Sequence, residues 1–529
     1  MSNSRMQPLF YRSDISLLWL LKTIPISLLI FSLPLVFLIV RGIYNRYFHP
    51  LRGFPGPFWS SVTDLYKVYV LSSTDVSSLT LKLHEKYGPL VRVAPNMLSF
   101  SKAHMIAQVY HRKVDKDDFW THGALGEHPP MLQTKDHEEH VKKRKIIAPV
   151  LSWKSLLRFE SWVDEETLRL RNKIKQRYVE PKRDINLADW IKWYLYDTTT
   201  HIMFQRRLGF VDQGRDVNGL LAAFRYTALL VGLMALFPYL LGPLVKLPVI
   251  KNLVLPRSSD TQGVGKVMKE QDKLMESAKP GKSLLNSLLG SQAVHKYAIS
   301  DEDLKTETLM LLVAAPDTTS TLICSIIDNV IKRPVIYDRL LSEITAFSTK
   351  GELSTPVATF AEIKRMPYFT ACIYETARLY PSLPVLLPRR VSPGGLLLDG
   401  RYVPEGATIG ASPSVVNKDP DVFGADAAEY RPERWLGPPE QVAQMSRFLF
   451  TWGFGTRKCA GKNLALLETY KLCLMMFRDF SIEPARPLSS KPRREDKGFA
   501  IYDDLALSLT KRDTSILDEE CEPDSPVRR

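Results

Sequence analysis

Disulfide scaffolds are the first architecture excluded. The 529 residues hold five cysteines, Cys324, Cys372, Cys459, Cys473 and Cys521, widely spaced and odd in number. That pattern argues against a disulfide framework and for a reducing compartment. No Cys-x-x-Cys pair or Cys/His spacing suggests structural zinc, and the His-Glu-x-x-His order of zinc proteases is missing. Linkers rich in glycine, serine or charge are also absent. The length allows about three or four ordinary domains, but one large domain fits equally well. Acidic residues are in deficit: 57 Asp and Glu against 71 Lys and Arg leave a net charge of +14. Apolar content of 45% and charged content of 24% are those of a globular protein.

Long uncharged runs are scarce, and the main one lies near the N-terminus. From Ile24 to Val40 the chain reads IPISLLIFSLPLVFLIV, and extension back to Ile15 adds one lysine, Lys22. That length suits a helix crossing a hydrocarbon core. A cleaved signal peptide would have a shorter apolar region and end in small residues, whereas this run ends at Arg41. Arg5 and Arg12 before it and Arg41, Arg46 and Arg52 after it leave its orientation open. A second apolar stretch, Ala228–Ile250, contains Pro238 and Pro243 and is a poor span. It reads as core helices or as a surface that dips into a bilayer, so a single span is expected. With a span present, the basic balance, including KKRK at Lys142–Lys145, points to an anionic bilayer or an acidic protein partner and not to nucleic acid. Tyr47–Pro57 (YFHPLRGFPGP) denies helix and strand, and reads as a stiff strap after the span.

Most of the remainder has helical periodicity. Ser300 is an N-cap candidate, followed by acids in the first turn and a largely apolar run to about Lys332 before Pro334. Such a helix is roughly 45–50 Å long and should cross the middle of the domain. Pro316, Thr318 and Thr319 should kink or open it between Ala314 and Thr319. Asp317 and Thr318 then stand either as an outward acid beside a satisfied hydroxyl or as a proton relay at a pocket. Glu375 and Arg378 share a helix face, and Arg434 in RPERW could complete a buried three-charge cluster. The Glu-x-x-Arg spacing recurs at Glu166/Arg169, Glu180/Arg183 and Glu362/Arg365, where surface pairs are expected. In HEEHVKKRK (His137–Lys145) no third metal ligand is indicated. The stretch reads as a basic helix face that aims Arg144 and His140 at an anionic group.

The most specific stretch is TWGFGTRKCAGKNLALLE, Thr451–Glu468. Gly453 and Gly455 permit a tight turn and close backbone approach. Arg457 and Lys458 precede Cys459, and a helical pattern follows. Cys459 therefore lies at a helix N-terminus, where the dipole and free amides favour a thiolate. Gly461 lets a flat ligand lie against the helix start.

This stretch resembles the haem-binding loop of the cytochrome P450 family, its Phe, Gly, Gly, Arg, Cys and Gly positions met by Trp452, Gly453, Gly455, Arg457, Cys459 and Gly461. Glu375 and Arg378 are similar to the family's Glu-x-x-Arg helix, and Arg434 to its Pro-Glu-Arg loop. AAPDTTS resembles the oxygen-activating groove, with Asp317 and Thr318 as acid and alcohol, although Ala315 replaces a common glycine and Pro316 is unusual there. His140 stands where many members carry tryptophan; Arg144, Arg389 and Arg457 resemble contacts to the haem propionates. The strap looks like that of fungal microsomal members.

The resemblance implies a mainly α fold with small β-sheets and an N-terminal transmembrane helix. It divides the chain into a short segment 1–14, an anchor 15–40, a strap 41–58, a haem-thiolate catalytic domain 59–512 and a disordered tail 513–529. It implies haem b on Cys459, an NADPH-dependent reductase or a small cytochrome as electron donor, and an endoplasmic reticulum membrane location with the catalytic domain in the cytosol. The implied activity is dioxygen-dependent hydroxylation or other oxidation of a lipophilic small molecule, such as a fungal terpenoid or polyketide. Pocket walls are expected at Phe119–Gly126, after Ala228, at Val313–Ala314, Leu383–Leu387 and Phe499–Ile501. The same scaffold could instead run an isomerase, dehydratase or ring-expansion reaction, or serve as a membrane haem sensor.

Overall fold

The computed structural model describes residues 26–111, 114–118, 128–223, 247, 257–261, 263–276, 281, 283–290, 296–297, 300–487 and 494–512. The tail, the Phe119–Gly126 wall, most of the 228–250 stretch and the start of the expected span lie outside these residues.

Helices dominate, and the core follows from where the apolar positions fall. Leu187–Phe204 is buried at nearly every position. It packs on the 31-residue helix Asp301–Ile331, which is about 46 Å long. Ser300 caps that helix, its hydroxyl accepting from the Asp303 amide at 3.1 Å. From Thr319 onward every residue to Ile331 is buried. Glu160–Ile174, Pro367–Leu379 and Lys462–Asp479 complete the same apolar core. Among the described residues, Asp301–Ile331 alone combines membrane-crossing length and hydropathy, and 67% of its apolar window is buried, so it is a core helix.

The sheets are small and lie to the sides. One has four strands in the order Leu90–Ala94, Met97–Phe100, Thr408–Gly410, Arg389–Arg390; its middle pair is parallel and the outer pairs antiparallel. A second sheet orders Ile185–Asn186, Ala506–Lys511 and Phe480–Pro484. Two hairpins, Leu396–Leu398 with Arg401–Val403 and Arg494–Lys497 with Phe499–Tyr502, finish the β content.

Three local expectations are corrected. The central helix is not opened at Pro316 but runs unbroken through it. The strap is not free of helix: Pro50–Gly53 forms a 3-10 turn capped by His49, whose Nδ1 accepts from the Leu51 amide at 3.1 Å. Glu166 is not on the surface either. It is fully buried and accepts from His201 Nδ1 at 2.7 Å and from Arg207.

Candidate active site

Cys459 ends the turn that the two glycines allow. Gly453 and Gly455 have φ of 70° and 66°, the left-handed region that glycine tolerates. A Cβ at Gly455 would lie 2.7 Å from the Tyr110 carbonyl oxygen, so that loop must pass close to the 103–110 segment. The Cys459 amide donates to the Trp452 carbonyl at 2.7 Å, closing the loop. The helix Lys462–Asp479 then starts from Gly461. Burial pushes the Cys459 thiol up, while the amides of Gly461 and Lys462 and the Arg144 charge pull it back toward thiolate. Cys324, Cys372 and Cys473 are buried and have no such helix start; burial pushes their thiols up. Cys459, unlike those three, retains accessible surface. A Cβ at Gly461 would come within 4.0 Å of the Cys459 sulfur.

Cations from four segments gather beside this loop. Arg389, Lys116 and His140 are each more than nine-tenths buried. Arg389 donates to the Pro388 carbonyl at 2.9 Å and lies over the Tyr110 ring at 4.8 Å. Arg457 donates to the carbonyls of Thr134 and Lys135 at 2.7 and 2.6 Å. Burial, then Arg389, pushes Arg457 down to about 10 against the pull of Asp115 and Asp136. Burial, then Arg457, Lys116 and Arg144, takes His140 down to about 3, which keeps its imidazole neutral. His140 Nδ1 is buried without a hydrogen-bond partner. Burial and the charges of Arg389 and Arg457 push Lys116 well down. Arg144 turns to the Cys459 loop, donating to the Lys458 carbonyl at 2.7 Å. Such a concentration of cations is costly unless an anionic group joins it. Lys116 and Tyr110 escaped sequence reading, because nothing in their local spacing distinguishes them.

On the central helix, Ala314 is exposed although its neighbours Leu312, Val313 and Pro316 are buried. Thr318, one turn on, donates from Oγ1 to the Ala314 carbonyl at 3.0 Å. Asp317 is half-buried, and its charge helps raise the buried Tyr196 hydroxyl, after burial itself. Val313 lines a small cavity with Tyr196, Leu208, Val267 and Leu274.

The three-charge cluster forms as expected. Arg378 Nη2 and Arg434 Nε approach Glu375 Oε1 at 2.7 and 2.9 Å, and all three side chains are buried. The Trp435 indole, unanticipated although it adjoins Arg434 in sequence, donates to Glu375 Oε2 at 2.9 Å. Arg378 also donates to the Asn417 carbonyl at 2.9 Å, and Asn417 accepts from the Phe450 amide at 2.8 Å. The cluster thereby reaches the start of the cysteine loop.

The residues fit haem. Its iron takes a cysteine thiolate as axial ligand, its flat ring needs the space left by Gly461, and its two carboxylates suit the buried cations. That chemistry defines the class, a haem-thiolate oxidoreductase. The chain belongs to the cytochrome P450 family, whose profile matches residues 51–506, and it is a haem-thiolate monooxygenase. It is similar to the quiannulatic acid synthase of Emericella variicolor, at 31% identity covering 82% of this chain and 87% of the relative. It is also similar to the cytochrome P450 monooxygenase gsfF of Penicillium aethiopicum, at 31% over 86% and 92%. A third relative, a cytochrome P450 monooxygenase of Aspergillus flavus, is 28% identical over 92% of this chain and 97% of its own.

Proposed function

We propose that this chain is a membrane-anchored monooxygenase of fungal secondary metabolism. It oxidises a lipophilic small molecule, of terpenoid or polyketide type, with dioxygen and electrons that an NADPH-dependent reductase delivers. The observation that carries the reading is Cys459, an accessible cysteine held between a glycine turn and a helix start. Haem b, when bound, supplies the oxidising chemistry. Cys459 Sγ would hold its iron, and the turn at Gly453 and Gly455 with Gly461 at the helix start would leave room for its flat ring. Arg389 and Arg457, with Lys116 and His140, would hold its carboxylates, and Arg144 steadies the loop through the Lys458 carbonyl. Thr318 Oγ1 hands on protons and the Asp317 carboxyl resupplies them. Glu375, Arg378 and Arg434 lock the geometry behind the loop. Exposed Lys142, Lys145 and Lys458 beside the loop suit an acidic reductase surface.

Residues 15–40 anchor the chain in the endoplasmic reticulum membrane. The helix Ile26–Tyr47 supports this, since Leu33 and Leu35–Val40 are exposed on it. The reduced, carbon-monoxide-treated protein is expected to give the haem-thiolate Soret band, and Cys459→Ala to lose it. A folded, haem-loaded Cys459→Ala protein with the same band would overturn the assignment. Labelled dioxygen supplied to producing cells should appear in the product; an unlabelled, rearranged product would point to an isomerase instead.

A further inference from the structure

The hairpin of Arg494–Lys497 with Phe499–Tyr502 joins two distant parts of the chain. Its strands pair antiparallel, and Asp496 stands directly opposite Ala500. Gly498 makes the turn, with φ of 76°. Asp496, 3% exposed, ties the outer strand to the helix Val76–Tyr87. The Ser77 hydroxyl donates to Asp496 Oδ2, and Ser414 Oγ lies 2.8 Å from Ser77 Oγ. The Asp496 amide donates to the Thr74 carbonyl at 3.1 Å. Arg494 Nη1 lies 3.5 Å from Asp496 Oδ2, and Arg494 Nη2 donates to the Pro381 carbonyl at 2.8 Å. Burial pushes the Asp496 carboxyl up, while the Arg494 charge and the Ser77 hydroxyl pull it back.

Ala500 ties the inner strand to the central helix. Its amide donates to the Ser382 carbonyl at 3.0 Å, and Ser382 Oγ donates to the Thr318 carbonyl at 2.7 Å. The Ala500 carbonyl accepts from Thr321 Oγ1 at 2.7 Å, and that hydroxyl lies 3.0 Å from the Asp317 carbonyl. Farther along, the Tyr502 hydroxyl donates to Asp328 Oδ2 at 3.3 Å. Ser77, Asp496, Ala500, Ser382 and Thr318 thus follow one another in a continuous line of contacts. The central helix needs support at its end of that line. Pro316 has no amide hydrogen for the helix ladder, so the turn that follows leans on bonds from outside. At the other end, a buried hydroxyl-to-carboxylate bond is charge-assisted and stronger than a neutral one.

We infer that Asp496 is a positioning residue for the oxidation: anchored on Ser77, it makes the hairpin a strut that fixes the Asp317–Thr318 turn of the central helix. The inference rests on Thr318 as the proton-passing hydroxyl of the reading above. The test compares the full-length holoprotein with its Asp496→Asn and Ser77→Ala variants by hydrogen exchange and by azole binding to the iron. In both variants exchange should quicken roughly tenfold over residues 314–322 as well as 494–502, the factor that one charge-assisted hydrogen bond carries. Exchange elsewhere and the carbon monoxide spectrum should not change. Imidazole, which needs little space at the iron, should bind as in wild type, and bulky clotrimazole several-fold more weakly. Ser77→Thr keeps the hydroxyl and should match wild type in both readouts. Ser77→Ala decides alone if Asp496→Asn does not fold. Faster exchange confined to 494–502, or an unchanged ratio of the two azole affinities, overturns the inference and leaves the Thr318 reading standing. Thr318→Phe should block clotrimazole. Both azoles binding that variant as they bind wild type would place the turn away from the iron and overturn the Thr318 reading and the inference together.

Discussion

Glu307 shows how one side chain carries a pH dependence into the site. It is 5% exposed on the central helix and accepts from the Met131 amide. That bond ties the helix to the segment whose Thr134 and Lys135 carbonyls hold Arg457. Burial lifts its carboxyl to about 7; the Met131 amide and Lys143 oppose this, and Asp303 reinforces it. The folded chain therefore holds this proton more tightly than the unfolded one. The resulting stabilisation is complete below the ordinary value of 4.5 and is lost as pH rises through about 7. Glu307→Gln is expected to remove that slope: the melting temperatures of wild type and variant should separate across this window, with the wild type relatively worse at the alkaline end. Parallel curves would contradict the assignment. Glu375 is the opposite case. Burial works to raise its carboxyl, but Arg378, the Arg431 amide and Arg434 outweigh burial and hold it low. The physical difference is an ion pair against a single amide.

At the scale of the element, the central helix survives a residue that ordinarily breaks helices. Pro316 has no amide hydrogen for the Leu312 carbonyl, a loss of up to about 3 kcal/mol in a helix interior. Tertiary bonds offset this loss. Ser382 Oγ donates to the Thr318 carbonyl at 2.7 Å, and Thr321 Oγ1 to the Ala500 carbonyl at 2.7 Å. Burial of everything from Thr319 to Ile331 does the rest. Pro316→Ala is expected to raise the melting temperature, because the missing hydrogen bond returns. It should also lower the fraction of NADPH electrons that reach product, because it tightens the turn at Asp317 and Thr318. Calorimetry and the product-to-NADPH ratio check the two effects separately. An unchanged melting temperature would mean that neighbouring groups already satisfy the Leu312 carbonyl.

For the whole molecule the relevant quantity is the +14 charge and where it lies. Lys142 and Lys145 are exposed on the helix that sends Arg144 to the Lys458 carbonyl, and Lys458 itself is exposed next to Cys459, so part of the excess lies on this helix and loop. Attraction between exposed charges is screened beyond about 10 Å at 0.1 M salt. Reductase-supported NADPH oxidation should therefore slow steeply as salt rises, while binding of an apolar substrate stays constant. Lys142→Glu with Lys145→Glu should flatten the salt dependence and leave the carbon monoxide spectrum intact. A salt-independent rate in the wild type would place electron entry elsewhere.

Residue order alone was enough for features whose physics is local. The Ser300 cap, the extent of the central helix to within a residue, the glycine turn and the helix start behind Cys459 all depend on neighbours in the chain. So does the pairing of Glu375 with Arg378. Spacing alone could not assemble the polar cluster: only the family resemblance groups Arg389, Arg457 and His140, and Lys116 is missed. These residues come from segments far apart in the chain and meet only when the sheet and the loop pack. Sequence also misread Glu166, and at Pro316 its expectation of an opened helix is not met. A helix break and a surface acid are the isolated-segment outcomes, whereas bonds and packing from distant segments hold the helix together past Pro316 and give Glu166 its partners His201 and Arg207. Local hydrogen bonding decided the elements; which charges are buried together was decided by the packing that brings them out of water.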